Sequence, residues 1–325
     1  MENLLDFFQG ILSENLKNGD LAKLSSESEY YDKIQFSDSE LDEMKDLLNL
    51  KEISDMEQYN KLIKLSDVIL AKNLYLDKSN IDSFDIFSGQ IFPNLEVLWL
   101  SFTEISSFKG LSSYIFPNLE ELWLNFNKIK SFEGLSGETF PKLEKLSLGN
   151  NQINSFKGLS RKIFPNLKLL NLNSNQMKIF EGLFPDIFPN IEKLYLTGNQ
   201  ITSIDEGLSG KIFPNLKELD LSFNEITSLE GLSGKTFPKL EILTLSFNKI
   251  DSLEGLSDIF SKLEKLYLSF NEITSLEGLS GEIFPNLKEL NLIGNQIEPN
   301  DEYIRNIRNI FPNLKYIHKN FTIIL

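Results

Sequence analysis

The residues of this chain best suited to acid–base work are carboxylates, and they recur: Glu96, Glu120, Glu144, Glu192, Glu241 and Glu264 hold one repeated position. General acid–base catalysis needs two groups in different environments within reach of one substrate. A regularly spaced row reads instead as a solvated polar edge. Cysteine is absent and His318 is the only histidine. That excludes thiolate metal sites, a cysteine nucleophile and paired imidazole ligands. No phosphate-binding lysine loop, dinucleotide fingerprint or serine nucleophile elbow occurs. The expectation is a non-enzymatic chain with no catalytic residue, metal or cofactor.

Residues with recognition chemistry fall in two columns. The residue between two leucines runs Tyr75, Trp99, Trp123, Ser147, Asn171, Tyr195, Asp220, Thr244, Tyr267, Asn291 and then His318, so both tryptophans fall in adjacent units. Three residues further on stand Phe102, Phe126, Phe223, Phe247 and Phe270. Exposed large aromatics are unfavourable unless covered, and Trp and Tyr are enriched at binding hot spots. The candidate partner-binding set is Tyr75, Trp99, Phe102, Trp123, Phe126, Tyr195, Phe223, Phe247, Tyr267 and Phe270. Turning Trp99 or Trp123 inward would require a one-residue slip against every neighbouring leucine. Two roles fit the Phe column: structural packing against neighbouring turns, or part of the ligand-facing surface. Charges along the first column change sign, with Glu121, Lys145, Lys193, Glu218, Asp220, Lys265 and Glu289. Such a mixture suits a protein surface better than a polyanion.

A repeat aligns these columns. Near-copies of FPNLEKLYLSFNEITSLEGLSGKI open at Phe92, Phe116, Phe140, Phe164, Phe188, Phe213, Phe237, Phe260, Phe284 and Phe311, spaced by 23 to 27 residues. A unit that short cannot bury its own apolar face, so the period implies a stacked solenoid. Around Leu122 and Leu124 the pattern alternates with period two, which sends Glu121, Trp123 and Asn125 to the opposite side of a short strand. Asn127 and its equivalents at 151, 175, 199, 224, 248, 271 and 295 occupy the turn leaving the strand, where an amide satisfies backbone groups. Thr103 and Ser79 replace it in the first units. Periodic glycines such as Gly158 predict tight turns. The opening Phe is expected to stack into a spine, and the proline after it, replaced only by Ser261, limits the convex side to short turns or single 3₁₀ turns. Residues 222–234 and 269–281 are identical, a sign of internal duplication.

The ends depart from the repeat. Residues 1–67 hold 16 acidic against 7 basic residues, a net of −9 out of −15 for the whole chain. Leu41, Met44, Leu47 and Leu48 share one helical face, as do Met56, Tyr59, Leu62, Ile63 and Leu65, so a helical amino-terminal cap is expected over 1–67, with the array filling 68–325 in about eleven units. Near the other end Asn300, Asp301 and Glu302 look like a helix start followed by Ile304, Ile307 and Ile310. The net charge argues against a nucleic-acid or anionic-membrane partner. Glu2 and Asp6 stand where a secretory leader would carry basic residues, and no run approaches the roughly 20 apolar residues of a membrane span. A cytoplasmic location is expected, with nuclear residence or unconventional secretion as alternatives.

The pattern Leu119, Leu122, Leu124, Asn127, Ile129 resembles the leucine-rich-repeat superfamily over roughly residues 68–325. The stretch NEITSLEGLSGKIFPNLKELDLSFNEI is similar to the intracellular types of the phosphatase-1 regulatory subunit and the acidic leucine-rich nuclear phosphoproteins, with Phe here where the latter carry Cys. The resemblance implies an α/β leucine-rich-repeat solenoid: a curved horseshoe with a concave parallel sheet, short convex turns and a helical cap. It implies a protein-binding scaffold or adaptor that takes a protein or peptide on its concave face. A regulatory or targeting subunit of an enzyme such as a phosphatase, and a microbial surface-exposed or secreted interaction protein, are the other readings. The chain ends KNFTIIL rather than in an acidic tail, so histone-type activity is not carried over.

Overall fold

The computed structural model describes residues 71–325 apart from 89, 136–139, 161–162, 205–211, 298–300, 320–321 and 325. The helical cap expected over 1–67 lies outside the described residues. Each unit supplies one strand: β1 (Asn73–Tyr75), β2 (Val97–Trp99), β3 (Glu121–Trp123), β4 (Lys145–Ser147), β5 (Leu169–Asn171), β6 (Lys193–Tyr195), β7 (Glu218–Asp220), β8 (Ile242–Thr244), β9 (Lys265–Tyr267) and β10 (Glu289–Asn291). Helix α1 (Asp301–Ile310) follows, then β11 (Tyr316–Lys319) and β12 (Thr322–Ile324). All twelve strands form one sheet in sequence order. β1 to β11 run parallel, because every unit returns the chain on the far side before the next strand starts, and β12 folds back antiparallel on β11.

Register pairs leucine with leucine. Leu98, Leu122, Leu146, Leu170, Leu194 and Leu219 lie opposite one another and are buried. Each such side chain contributes about 1.5–3 kcal/mol of burial. Behind them the opening phenylalanines form a buried spine joined by a second Phe column, Phe108, Phe132, Phe156 and Phe180. The α/β label needs correction. Among the described residues α1 is the single α-helix; the return segments are turns, with one 3₁₀ turn at Phe84–Phe87. Proline after the opening Phe removes an amide donor, and so short a return leaves no length for a helix.

Ring spacing shows which way the array bends. Consecutive rings on the sheet side stand 4.1 to 4.4 Å apart. Across the spine, consecutive-unit rings such as Phe108–Phe132, Phe188–Phe213 and Phe213–Phe237 are 5.8, 6.4 and 6.1 Å apart. Units are therefore closer on the sheet side, and the sheet is the inner, concave surface.

The asparagine column binds successive units together. Asn224 Nδ2 donates to Leu196 O of the preceding unit and to Leu221 O of its own, both at 3.0 Å, while its Oδ1 accepts Ile201 N–H at 3.0 Å. Thr103 keeps part of this pattern, its single hydroxyl proton shared between Leu100 O at 3.0 Å and Asn127 Oδ1 at 2.6 Å. Tight turns close the other side. Gly158 has φ +94°, and a Cβ there would come within 2.4 Å of Glu133 N.

Candidate functional site

The inward leucines fix what points out. With Leu74, Leu98 and Leu122 facing the core, the pleat places Tyr75, Trp99 and Trp123 side by side on the concave surface, and no register slip occurs. The rings of Tyr75 and Trp99 stack with centroids 4.1 Å apart and planes 11° apart, and Tyr75 is 66% exposed. Trp123 is pinned differently: its Nε1–H donates to Glu121 Oε2 at 3.1 Å, and Glu121 also receives Lys145 Nζ at 2.6 Å. Beyond β3 the column becomes small and polar. Ser147 is buried, donating to Asn125 Oδ1 at 2.7 Å and accepting from Asn171 Nδ2 at 3.2 Å.

Two phenols resume the column. Tyr195 on β6 lies beside Glu218 on the next strand, and burial first, then that carboxylate, raises its pKa above the usual value of 10.0. Tyr267 on β9 is pushed up to about 12, by burial first and then by the hydrogen bond it donates to Glu289. Lys193 is raised through its bond to Glu218 at 2.8 Å. Neither phenol is a base near neutrality. Each hydroxyl proton is engaged with a carboxylate, so what the two rings offer a ligand is apolar surface.

The Phe column sits where the backbone is left-handed. Phe102, Phe126, Phe223, Phe247 and Phe270 have φ between 54° and 57°. That conformation costs an L-residue about 1–2 kcal/mol and is an outlier for a bulky one. Other units put Asn150, Ser174, Gly198 and Gly294 at the same place with positive φ. The phenylalanines stack as Phe102–Phe126 at 4.2 Å, Phe223–Phe247 at 4.2 Å and Phe247–Phe270 at 4.4 Å, and remain 38–54% exposed. Lys78 Nζ lies 5.9 Å from the centre of the Phe102 ring, and the Phe270 ring covers Gly294, where a Cβ would sit 2.6 Å from it. Both structural packing and exposure apply to this column.

The ten candidate residues thus do not form one site. Tyr75, Trp99, Trp123, Phe102 and Phe126 gather over β1 to β3; Phe223, Phe247, Phe270 and Tyr267 gather over β7 to β9; Tyr195 stands between them on β6. The sequence reading missed the backbone strain, whose signal was Asn150, Gly198 and Gly294 sharing a column with phenylalanine. It also missed Tyr114, 73% exposed in a return segment away from the sheet.

Among the described residues no group of three or more His, Asp or Glu side chains could hold a metal ion, and no helix is long and apolar enough to cross a membrane. A cleft of 470 Å³ lies between the turns at 280–287 and 309–313, beside α1, and none of the ten candidate residues lines it.

A model described as "Leucine rich repeat" matches residues 189–250 and 214–273, and one described as "Leucine Rich repeats (2 copies)" matches 116–161, 162–210 and 261–306. No curated protein matches the chain. Among solved structures, a Leptospira interrogans leucine-rich-repeat protein is 26% identical with a TM-score of 0.53, over 80% of this chain and 68% of that one. The repeats of FLRT2, in an octameric complex with Latrophilin 3 and Unc5D, are 22% identical with a TM-score of 0.55, over 76% of this chain and 74% of that one. The Drosophila Toll–Spatzle complex gives 22% identity and a TM-score of 0.53, over 69% of this chain and 31% of that one. At 22% identity the last two show the fold alone.

Proposed function

We propose that this chain, a member of the leucine-rich-repeat superfamily, is a non-catalytic protein-binding scaffold that takes a protein or peptide on its concave sheet face. The observation that carries this reading is the aromatic group over β1 to β3, where exposed Tyr75 stacks on half-buried Trp99 beside half-buried Trp123. A preformed sheet loses little conformational freedom on binding, so large rigid aromatics there make efficient anchors. FLRT2 and Toll were both solved in complexes with other proteins, which agrees with such a role for the fold. The cysteine-free sequence supports action inside the cell.

Affinity capture with mass spectrometry, comparing the native chain with the Trp99→Ala, Trp123→Ala double variant, tests the proposal. Each hot-spot truncation is expected to lose about 2 kcal/mol, or roughly 30-fold in affinity, so the main partner should disappear. Thermal unfolding should stay near the native midpoint. Unchanged capture by the double variant would refute the role of this face.

A further inference from the structure

The Phe223–Phe247–Phe270 stack combines left-handed backbone, solvent exposure and a strongly acidic setting. Residues 218–277 carry eleven acidic against five basic residues, a net of −6, whereas 134–197 carry five against eight, a net of +3. Two residues past the three rings come Glu225, Lys249 and Glu272; Glu225 is neutralised by Lys249 at 3.1 Å. Among the described residues Asp220, Asp251 and Glu272 make no salt bridge with a lysine or arginine, and Asp251 and Glu272 are exposed. Asp220 shows one oxygen to Ser222 N–H at 2.9 Å and points from β7 onto the same surface.

The fold does not require aromatics at these places, since Asn150, Ser174 and Gly198 carry the same backbone conformation through the middle units. Strained residues kept where a less strained type serves are a marker of ligand contact. The N-terminal pair is set differently, because Lys78 lies over Phe102. A polyanion or an anionic lipid surface would be repelled from the C-terminal stack.

We infer that Phe223, Phe247 and Phe270 dock the apolar side of a basic amphipathic peptide segment of a protein partner. Aliphatic side chains lie along the ring edges, and lysine or arginine side chains reach Asp220, Asp251 and Glu272. This deepens the reading of the concave side as protein-binding and rests on it, while using residues that reading does not need.

The test uses the full chain and three labelled synthetic peptides followed by fluorescence anisotropy at physiological salt. One carries leucine and lysine on opposite sides, the second has glutamate for lysine, and the third serine for leucine. The leucine–lysine peptide should bind the native chain about tenfold or more tighter than either relative. Phe223→Gly, Phe247→Gly, Phe270→Gly together should lose that binding with little change in unfolding midpoint, and Phe102→Gly, Phe126→Gly should keep it. Should the triple variant fail to fold, Asp220→Asn, Asp251→Asn, Glu272→Gln carries the test and should weaken binding about tenfold. Equal binding of the glutamate peptide, no binding of the lysine peptide, or an equal loss in the Phe102, Phe126 variant overturns the inference. A native dimer that the triple variant abolishes assigns the stack to a second copy and overturns it as well. Loss only in the Trp99, Trp123 variant would leave the scaffold reading standing and remove this one; binding unaffected by that variant but lost with the phenylalanines is the expected result, and the β1 to β3 anchor then stands or falls by its own capture experiment.

Discussion

Phe223 and Asn224 are neighbours in the chain and recur together, yet their surroundings are opposite. Asn224 is 7% exposed, and its amide ties three carbonyls and one amide of two units into a single network. Phe223 is 54% exposed on left-handed backbone and touches mainly another phenylalanine. Every bond of the asparagine explains why its position repeats. The phenylalanine column stops at Asn150, Ser174 and Gly198 without interrupting the sheet. Stacking contributes about 0.5–1.5 kcal/mol per pair, which roughly offsets the backbone strain. One column holds the units together, and the other leaves stability nearly unchanged while presenting apolar surface.

The largest effect expected from this contrast belongs to Asn224→Ala. It strands Leu196 O, Leu221 O and Ile201 N–H in a buried turn, and the loss should be about 3 kcal/mol by urea denaturation. Phe223→Gly should move stability by less than about 1 kcal/mol in the same measurement, since lost stacking and relieved strain oppose each other. A loss equal to that of Asn224→Ala would place the Phe column with the structural ladder. Lys145→Ala breaks an exposed ion pair with Glu121 and should cost at most about 1 kcal/mol.

An effect confined to alkaline pH sits at Tyr267. Its folded pKa lies near 12 against 10.0 for the ordinary phenol, so the folded state holds this proton longer. The stability it adds is fully present below pH 10 and is lost as pH rises toward 12. In a spectrophotometric tyrosinate titration the highest step should vanish in Tyr267→Phe; its persistence would contradict the Tyr267–Glu289 bond.

Much of the array could be read from residue order. The 23- to 27-residue spacing and the inward leucines define the strands, and the column alternation already placed Trp99 and Trp123 outward. Three features could not be read. Stacking partners such as Tyr75 and Trp99 are 24 residues apart and meet only once register is set. Positive φ at Phe102 cannot be read from phenylalanine, which carries none of the usual signs of a left-handed turn; the column shows them only at Asn150, Gly198 and Gly294. Division of the aromatics into two groups follows from Ser147, Asn171 and Ser174, ordinary residues in isolation whose meaning comes from where the array places them.

The most direct test is position-specific photo-crosslinking. Benzoylphenylalanine is placed in turn at Trp99, at Trp123 and at Tyr114, which is more exposed than either but lies in a return segment away from the sheet. The concave-face account expects covalent capture of the partner from positions 99 and 123 and none from 114. Capture from 114 with none from 99 and 123 would contradict it.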